Sequence, residues 1–165
     1  MRQPAPILVP VDFSEYSREA LAWAGRLARD LGAPLLVLHV VHEPGHEPGY
    51  YQRAWEQAGL PERTDSMLQL DRAAAELMTE FLEQACRSHP VLGSADGLST
   101  RLETGIPVPR ILEVAAEVRA QHIVMGSYGR TGLAHLLIGS KASQIVHLSP
   151  VTVTIVKTPD AAQRD

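Results

Sequence analysis

The sequence predicts a doubly wound, Rossmann-like α/β fold, in which four helices cover a mostly parallel five-stranded sheet. Short apolar runs typical of buried strands alternate with longer segments whose apolar residues recur at helical spacing. Single helical crossovers between strands call for parallel pairing with right-handed connections. The 165 residues suit one domain, so we expect residues 1–165 to form a single unit with a flexible loop at 42–64 and a tail at 158–165.

The first third of the chain predicts a βαβ unit. Residues 7–11 and 35–41 are almost wholly apolar, as in strands that are buried on both faces of a sheet. Between them, apolar residues at helical spacing predict a helix that Ser14 caps and Gly32 ends. Proline and glycine recur through 42–64, which predicts a loop there.

The rest of the chain predicts the remaining strands and helices. One apolar face from about Asp65 to His89 predicts the longest helix. Residues 98–104 alternate more between apolar and polar types than the earlier strands, which favours a position near a sheet edge. The remaining predicted elements are a helix after Pro107, a strand at 121–125, a helix at 142–148 and a β-branched strand at 151–156.

The composition limits the partners of this chain. A net charge of −4, with scattered basic residues, argues against a nucleic-acid surface. The single Cys86 has no partner for an internal disulfide, which favours a reducing compartment. The N-terminal residues have one arginine, two prolines and then only a short strand, so we expect neither a signal peptide nor a membrane span there. We therefore expect a cytoplasmic protein that binds neither nucleic acid nor membrane.

The most informative motif lies between the strand at 121–125 and the helix at 142–148. Gly126-Ser-Tyr-Gly129 is followed by Gly139-Ser140, with the spacing Gly-x2-Gly-x9-Gly-Ser. Glycine lets the backbone approach a phosphate and adopt positive φ, and a helix N-terminus attracts anions. The motif therefore predicts a nucleotide site, and the alternative is that these glycines only form turns.

Several segments make the chain resemble the universal stress protein family, in particular its ATP-binding branch. The resemblance implies the strand order 3-2-1-4-5 and a homodimer in which two copies of Val151–Val156 pair antiparallel. Only residues 42 to about 66 have no clear counterpart. The matching segments are Ile7-Leu-Val-Pro-Val-Asp-Phe-Ser14, Leu38-His-Val40, Gly105-Ile-Pro107, Gly126-Ser-Tyr-Gly-Arg-Thr-Gly132 and Leu137-Ile-Gly-Ser140.

The resemblance also implies an ATP site between the first and fourth strands. Asp12 would accept hydrogen bonds from a ribose hydroxyl or the adenine amino group, with Pro10 and Val11 lining the base. The backbone of Val40 would meet the adenine. The alternative for Asp12 is a turn residue that assists Ser14 at the start of the helix.

The phosphates of ATP would contact the glycine motif. Arg130 offers bidentate contact with phosphate oxygens, or is a solvated arginine. Ser140 and Lys141 begin the last helix, where hydroxyl, ammonium and N–H groups could converge on the β- and γ-phosphates. Matching family members usually carry a small or β-branched residue in place of Lys141, which either strengthens or crowds this site. The residues predicted on this side are Met125, Gly126, Ser127, Gly129, Arg130, Gly139, Ser140 and Lys141.

The leading functional hypothesis is a regulatory module of a stress response that binds ATP with Mg²⁺ and signals to an unidentified protein partner. The sequence has no P-loop, no second acidic residue placed for Mg²⁺ and no evident base, so no catalytic residue is assigned, although slow ATP hydrolysis remains possible. His39, His42 and His46 lack a recognisable metal-ligand spacing, and no metal site is predicted.

Two alternative functions use a similar architecture. An ATP pyrophosphatase or nucleotidyltransferase would have a Ser-Gly-Gly loop after the first strand, where this chain has Val11-Asp-Phe-Ser14. A response-regulator receiver would have an acidic pair after the first strand and a phosphorylatable aspartate after the third. This chain has Asp12 alone and Glu103-Thr104 at those positions. The missing loop disfavours the first alternative, and the missing acidic residues disfavour the second.

Overall fold

The computed structural model describes residues 4–42, 56–57, 59, 70–93, 97–128 and 138–158. Its sheet has five parallel strands in the order β3-β2-β1-β4-β5, which confirms the predicted fold class and strand order. β3 and β5 are the edges, so the edge position expected for residues 98–104 is also confirmed. The strands are β1 (Ile7–Pro10), β2 (Leu35–Val41), β3 (Leu98–Thr104), β4 (His122–Gly126) and β5 (Thr152–Val156).

Among the described residues, four longer helices match the four predicted ones, and a single helical turn that the sequence did not indicate follows the second of them. No helix among the described residues is long and apolar enough to cross a membrane. Most of the loop predicted at 42–64 and the predicted helix start at 65–69 lie outside the described residues. The helices are α1 (Glu15–Leu31), α2 (Leu70–Ser88), α3 (Pro90–Gly93), α4 (Pro107–Glu117) and α5 (Ser140–Leu148).

Helix α1 begins and ends at the residues that the sequence predicted. The Ser14 hydroxyl accepts a hydrogen bond from the backbone N–H of Ser17, with an N···O distance of 3.2 Å. At the other end Gly32 adopts a left-handed conformation with φ of 60°, which glycine adopts without steric cost. These caps fix where the chain leaves β1 and where it returns to β2.

The sheet separates two apolar cores, because successive residues of a strand face opposite sides. Val9 contributes to the core beneath α1 and α2, together with Leu77 and Phe81. Leu8 contributes to the core beneath α4 and α5, together with Ile145. All four residues of β1 are buried, so this strand lies at the centre of the protein.

Strands β1 and β4 are paired only near their amino ends. Ile7 pairs with His122 and Leu8 with Ile123, and the sheet has no further β1–β4 partners among the described residues. The order of the strands reverses between β1 and β4, and in open α/β sheets ligands bind beyond the strand ends at such a point. The carboxyl ends of β1 and β4 therefore frame the expected site.

Candidate nucleotide-binding site

A cavity of about 170 Å³ lies where the carboxyl ends of β1 and β4 separate. Its walls come from the ends of β1, β2 and β4 and from the starts of α4 and α5. Gly129 and Arg130, which were predicted on the phosphate side, lie outside the described residues. The cavity brings together the other ten predicted residues, which are Pro10, Val11, Asp12, Val40, Met125, Gly126, Ser127, Gly139, Ser140 and Lys141.

Asp12 lines this cavity and also stabilises the turn into α1. Its Oδ1 atom accepts hydrogen bonds from the backbone N–H of Ser14 at 3.1 Å and from the Ser14 hydroxyl at 2.5 Å. The turn role considered for Asp12 is therefore real. It does not exclude a ligand contact, because an ionised carboxylate has about four acceptor positions on its two oxygens.

His39 is a site residue that the sequence reasoning did not assign to the nucleotide. It is 2% exposed and lines the cavity from β2. Its Nδ1 atom lies 2.8 Å from the carbonyl oxygen of Val11, so Nδ1 carries the proton and donates it. The available signal was a lone polar residue in the otherwise apolar run 35–41.

The ring of His39 also packs against Phe13, the residue after Asp12. The two ring centroids are 4.2 Å apart, and Phe81 packs edge-on against Phe13 from α2 at 5.8 Å. Phe13 has φ of 64°, a conformation that bulky residues rarely adopt. Packing on both sides thus holds a strained backbone next to Asp12.

The charge state of His39 follows from its surroundings. Burial lowers its pKa to about 4, although the hydrogen bond to Val11 and the charge of Asp12 act in the opposite direction. The neighbouring His42 and Lys141 lower the pKa of His39 further through electrostatic interaction. His39 is therefore neutral at pH 7. Lys141, which also lines the cavity, is close enough to His39 to act on it electrostatically.

Gly126 also has a packing role that the sequence did not indicate. The sequence suggested that this glycine permits approach to a ligand and positive φ. The positive φ was wrong, because Gly126 is not among the described residues with positive φ, while the approach to a ligand stays a prediction. A Cβ atom at this position would lie 2.9 Å from the backbone carbonyl carbon and oxygen of Tyr16. Real Cβ atoms do not come so close to backbone, so the glycine allows β4 to pack against α1.

Backbone hydrogen bonds position the first turn of α5 beside the end of β4. The N–H of Gly139 donates to the carbonyl oxygen of Ser127 at 2.7 Å, and the N–H of Ser127 donates to the carbonyl oxygen of Val156 at 2.9 Å. The N-cap residue of α5 is Gly139, and no side chain of the described residues caps this helix end. Such a helix end presents N–H groups and a positive dipole to an anion.

Ser127 is the second polar group on this side of the cavity. The residue is 1% exposed, and its Oγ atom has no hydrogen-bond partner within the part of the chain that the structure describes. A buried hydroxyl without a partner is costly unless a ligand or water satisfies it. The cavity thus has a carboxylate on the β1 side, and a hydroxyl and a helix N-terminus on the β4 side.

Sequence comparison identifies relatives over most of this chain. A model of the universal stress protein family matches residues 5–157. A universal stress protein of Methanocaldococcus jannaschii is 27% identical over 155 residues, which cover 93% of this chain and 82% of the relative. One from Mycobacterium bovis is 29% identical over 171 aligned positions and covers 99% of this chain. This chain spans only about half of that mycobacterial relative, 52% of its length.

Solved structures share the fold and include nucleotide complexes. The universal stress protein UspA from Lactobacillus plantarum has a TM-score of 0.69 and 26% identity, with 94% of this chain and 99% of that chain covered. A universal stress protein in complex with cAMP has a TM-score of 0.63, 23% identity and coverages of 92% and 96%. One from Archaeoglobus fulgidus in complex with dAMP has a TM-score of 0.61, 22% identity and coverages of 94% and 100%. Because the family model matches residues 5–157 and the fold is shared, the chain belongs to the universal stress protein family.

Proposed function

We propose that this protein is a regulatory module that binds ATP, with Mg²⁺, in the cavity between β1 and β4. The observation that carries the proposal is the convergence of ten predicted residues on one cavity at the point where strand order reverses. The family members solved with cAMP and dAMP support an adenine nucleotide as the ligand class. A cytoplasmic location is part of the proposal and rests on the single Cys86.

The geometry suggests how ATP would lie in the cavity. The adenine would contact the apolar walls at Val11, Val40 and Met125, and the ribose would reach Asp12. The phosphates would extend towards Ser127 and the start of α5 at Gly139–Lys141, where N–H groups and the Lys141 ammonium favour negative charge. ATP occupancy would then change which protein partner is bound, and chemistry on the nucleotide would be secondary.

Isothermal titration calorimetry tests the proposal. We expect ATP to bind with micromolar affinity, about −8 kcal/mol by the standard conversion. ATP should bind more tightly than GTP, because the backbone beside Val40 would read the edge of the adenine. The absence of heat or of competition with millimolar ATP in the presence of Mg²⁺ would contradict the proposal.

A pair of variants distinguishes ATP binding in the cavity from nonspecific ATP binding elsewhere on the surface. Asp12→Asn removes the charge that would strengthen the ribose contact, and we expect ATP affinity to fall about tenfold, in line with the loss of a charged hydrogen bond. Asp30→Asn is the matched control, because Asp30 is an exposed residue at the end of α1, away from the cavity. Equal effects of the two substitutions would argue against the cavity.

The proposal includes a homodimer formed through β5. The other edge strand, β3, carries Arg101 and Glu103, which form ion pairs with Arg110 and Glu117, and charged edges disfavour strand pairing. The residues of β5 from Val153 to Val156 are only partly buried in the single chain. An apolar edge of this kind is suited to pairing with a second copy.

Substitution of Val153 by proline tests the dimer. The Val156 carbonyl accepts from Ser127 and so faces β4, and strand alternation then places the N–H of Val153 on the outer edge. Val153→Pro removes this outward donor, whereas the control Val153→Thr keeps it. We expect only the proline variant to shift towards monomer in size-exclusion chromatography with light scattering. A monomeric wild type would refute the dimer.

A further inference from the structure

We propose that His39 is a positioning residue of the nucleotide site, which holds the turn Val11-Asp12-Phe13 so that Asp12 faces the ligand. This inference rests on the proposed nucleotide binding and assigns a role to a buried imidazole within that same site. His39 lines the cavity from β2, and its Nδ1–H donates to the carbonyl oxygen of Val11 at 2.8 Å.

The backbone before Asp12 is tied to β2 by two hydrogen bonds. The N–H of Val11 donates to the carbonyl oxygen of Leu38 at 2.8 Å, and the carbonyl of Val11 accepts from His39. Val11 follows the last residue of β1, so the His39 contact extends the attachment between β1 and β2 beyond the strand itself. Removing the imidazole donor would release the peptide group that links Val11 to Asp12.

The backbone after Asp12 depends on the same imidazole. Phe13 has φ of 64°, and left-handed backbone is sterically strained for a residue other than glycine. The ring of His39, at a centroid distance of 4.2 Å, supports Phe13 in this conformation. His39 therefore restrains both neighbours of Asp12, while Ser14 restrains its side chain through Oδ1.

The hydrogen bond to Val11 explains why this position carries histidine. A leucine could fill the same space in the apolar run 35–41, but it could not donate to the Val11 carbonyl. An asparagine has an amide N–H₂ group at a similar distance from the backbone and could make that bond. Leucine at this position thus keeps the bulk of the side chain and removes the donor, whereas asparagine keeps the donor and removes the ring.

The test measures ATP affinity by calorimetry at pH 7.5 for the full chain. We expect His39→Leu to weaken ATP binding about tenfold. His39→Asn keeps the donor and loses only the ring contact with Phe13, so it should weaken binding less, by about threefold. His122→Leu is the matched control, because His122 is a partly buried strand histidine at the amino end of β4 that bonds Thr154. It should leave the affinity within about twofold.

A double-mutant cycle separates positioning from direct contact. If His39 acts through Asp12, the variant Asp12→Asn/His39→Leu binds ATP no more weakly than Asp12→Asn alone, because the two substitutions remove the same contact. Additive losses, or a His39→Leu affinity within twofold of the wild type, would overturn the positioning role while leaving ATP binding in place. If the wild type does not bind ATP, the proposed function itself fails.

A measurement on the wild type covers the case in which His39→Leu does not fold. The imidazole ¹⁵N chemical shifts of His39 report which ring nitrogen carries the proton. We expect a protonated Nδ1, in slow exchange with solvent, at pH 7.5. A proton on Nε2 alone would leave Nδ1 facing the Val11 carbonyl as a second acceptor, and it would overturn the proposal without any substitution.

Discussion

Substitution of Gly126 by alanine should lower the free energy of unfolding by about 2 kcal/mol, which is within the range for overpacked positions. The added Cβ atom would lie 2.9 Å from backbone atoms of Tyr16. Because backbone cannot rotate away as a side chain can, β4 and α1 would have to move apart. Valine at this position should destabilise the protein more than alanine.

Urea denaturation measures this effect, with Gly93→Ala as the control. Gly93 ends α3, and a Cβ atom there would have no neighbour within 4 Å in the part of the chain that the structure describes. The control should therefore change the free energy of unfolding by less than about 0.5 kcal/mol. If Gly126→Ala is as stable as the wild type, the close approach of α1 is not rigid, and ligand contact becomes the better explanation for this glycine.

Protonation of His39 should destabilise the protein in mild acid. Burial lowers its pKa from the ordinary value of 6.5 to about 4 in the folded state. Between these values the unfolded chain binds a proton that the folded chain does not, so stability is lost as pH falls from 6.5 towards 4. A shift of this size corresponds to about 3 kcal/mol.

Urea denaturation from pH 7.5 to pH 4.5 tests this dependence, compared with His39→Asn. The variant lacks the titrating group, so its stability should fall less steeply over the same interval. The pH dependence of stability that remains in this variant comes from carboxylates and other histidines. His147→Asn, at an exposed position on α5, controls for the loss of an imidazole as such. Parallel curves for the wild type and His39→Asn would show that His39 does not resist protonation.

The fold was predictable because its signals are local and repeated. Apolar runs marked the strands, and the capping residues Ser14 and Gly32 marked both ends of α1. The interaction of Asp12 with Ser14 was also within reach, because it spans two residues. The strand order required the family resemblance, since alternation of strands and helices does not specify which strands are neighbours.

The residues that the sequence could not explain depend on contacts between distant segments. Gly126 lies in a motif that suggests phosphate binding, yet its observed contact is the backbone of Tyr16, 110 positions earlier in the chain. His39 meets Val11 only because β1 and β2 are neighbours in register. Close approach of one backbone to another leaves no periodic pattern in the sequence, and a single buried histidine leaves only a weak one.

Nuclear magnetic resonance mapping of an ATP titration tests the central claim most directly, because it reports both binding and location. Amide shift changes should concentrate at the carboxyl ends of β1 and β4 and in the first turn of α5, at Val11, Asp12, Gly126, Ser127 and Gly139–Lys141. Residues of the outer strand β3 near Ser99 should not change. Changes confined to other surfaces, or no saturable changes with millimolar ATP and Mg²⁺, would contradict an ATP site between β1 and β4.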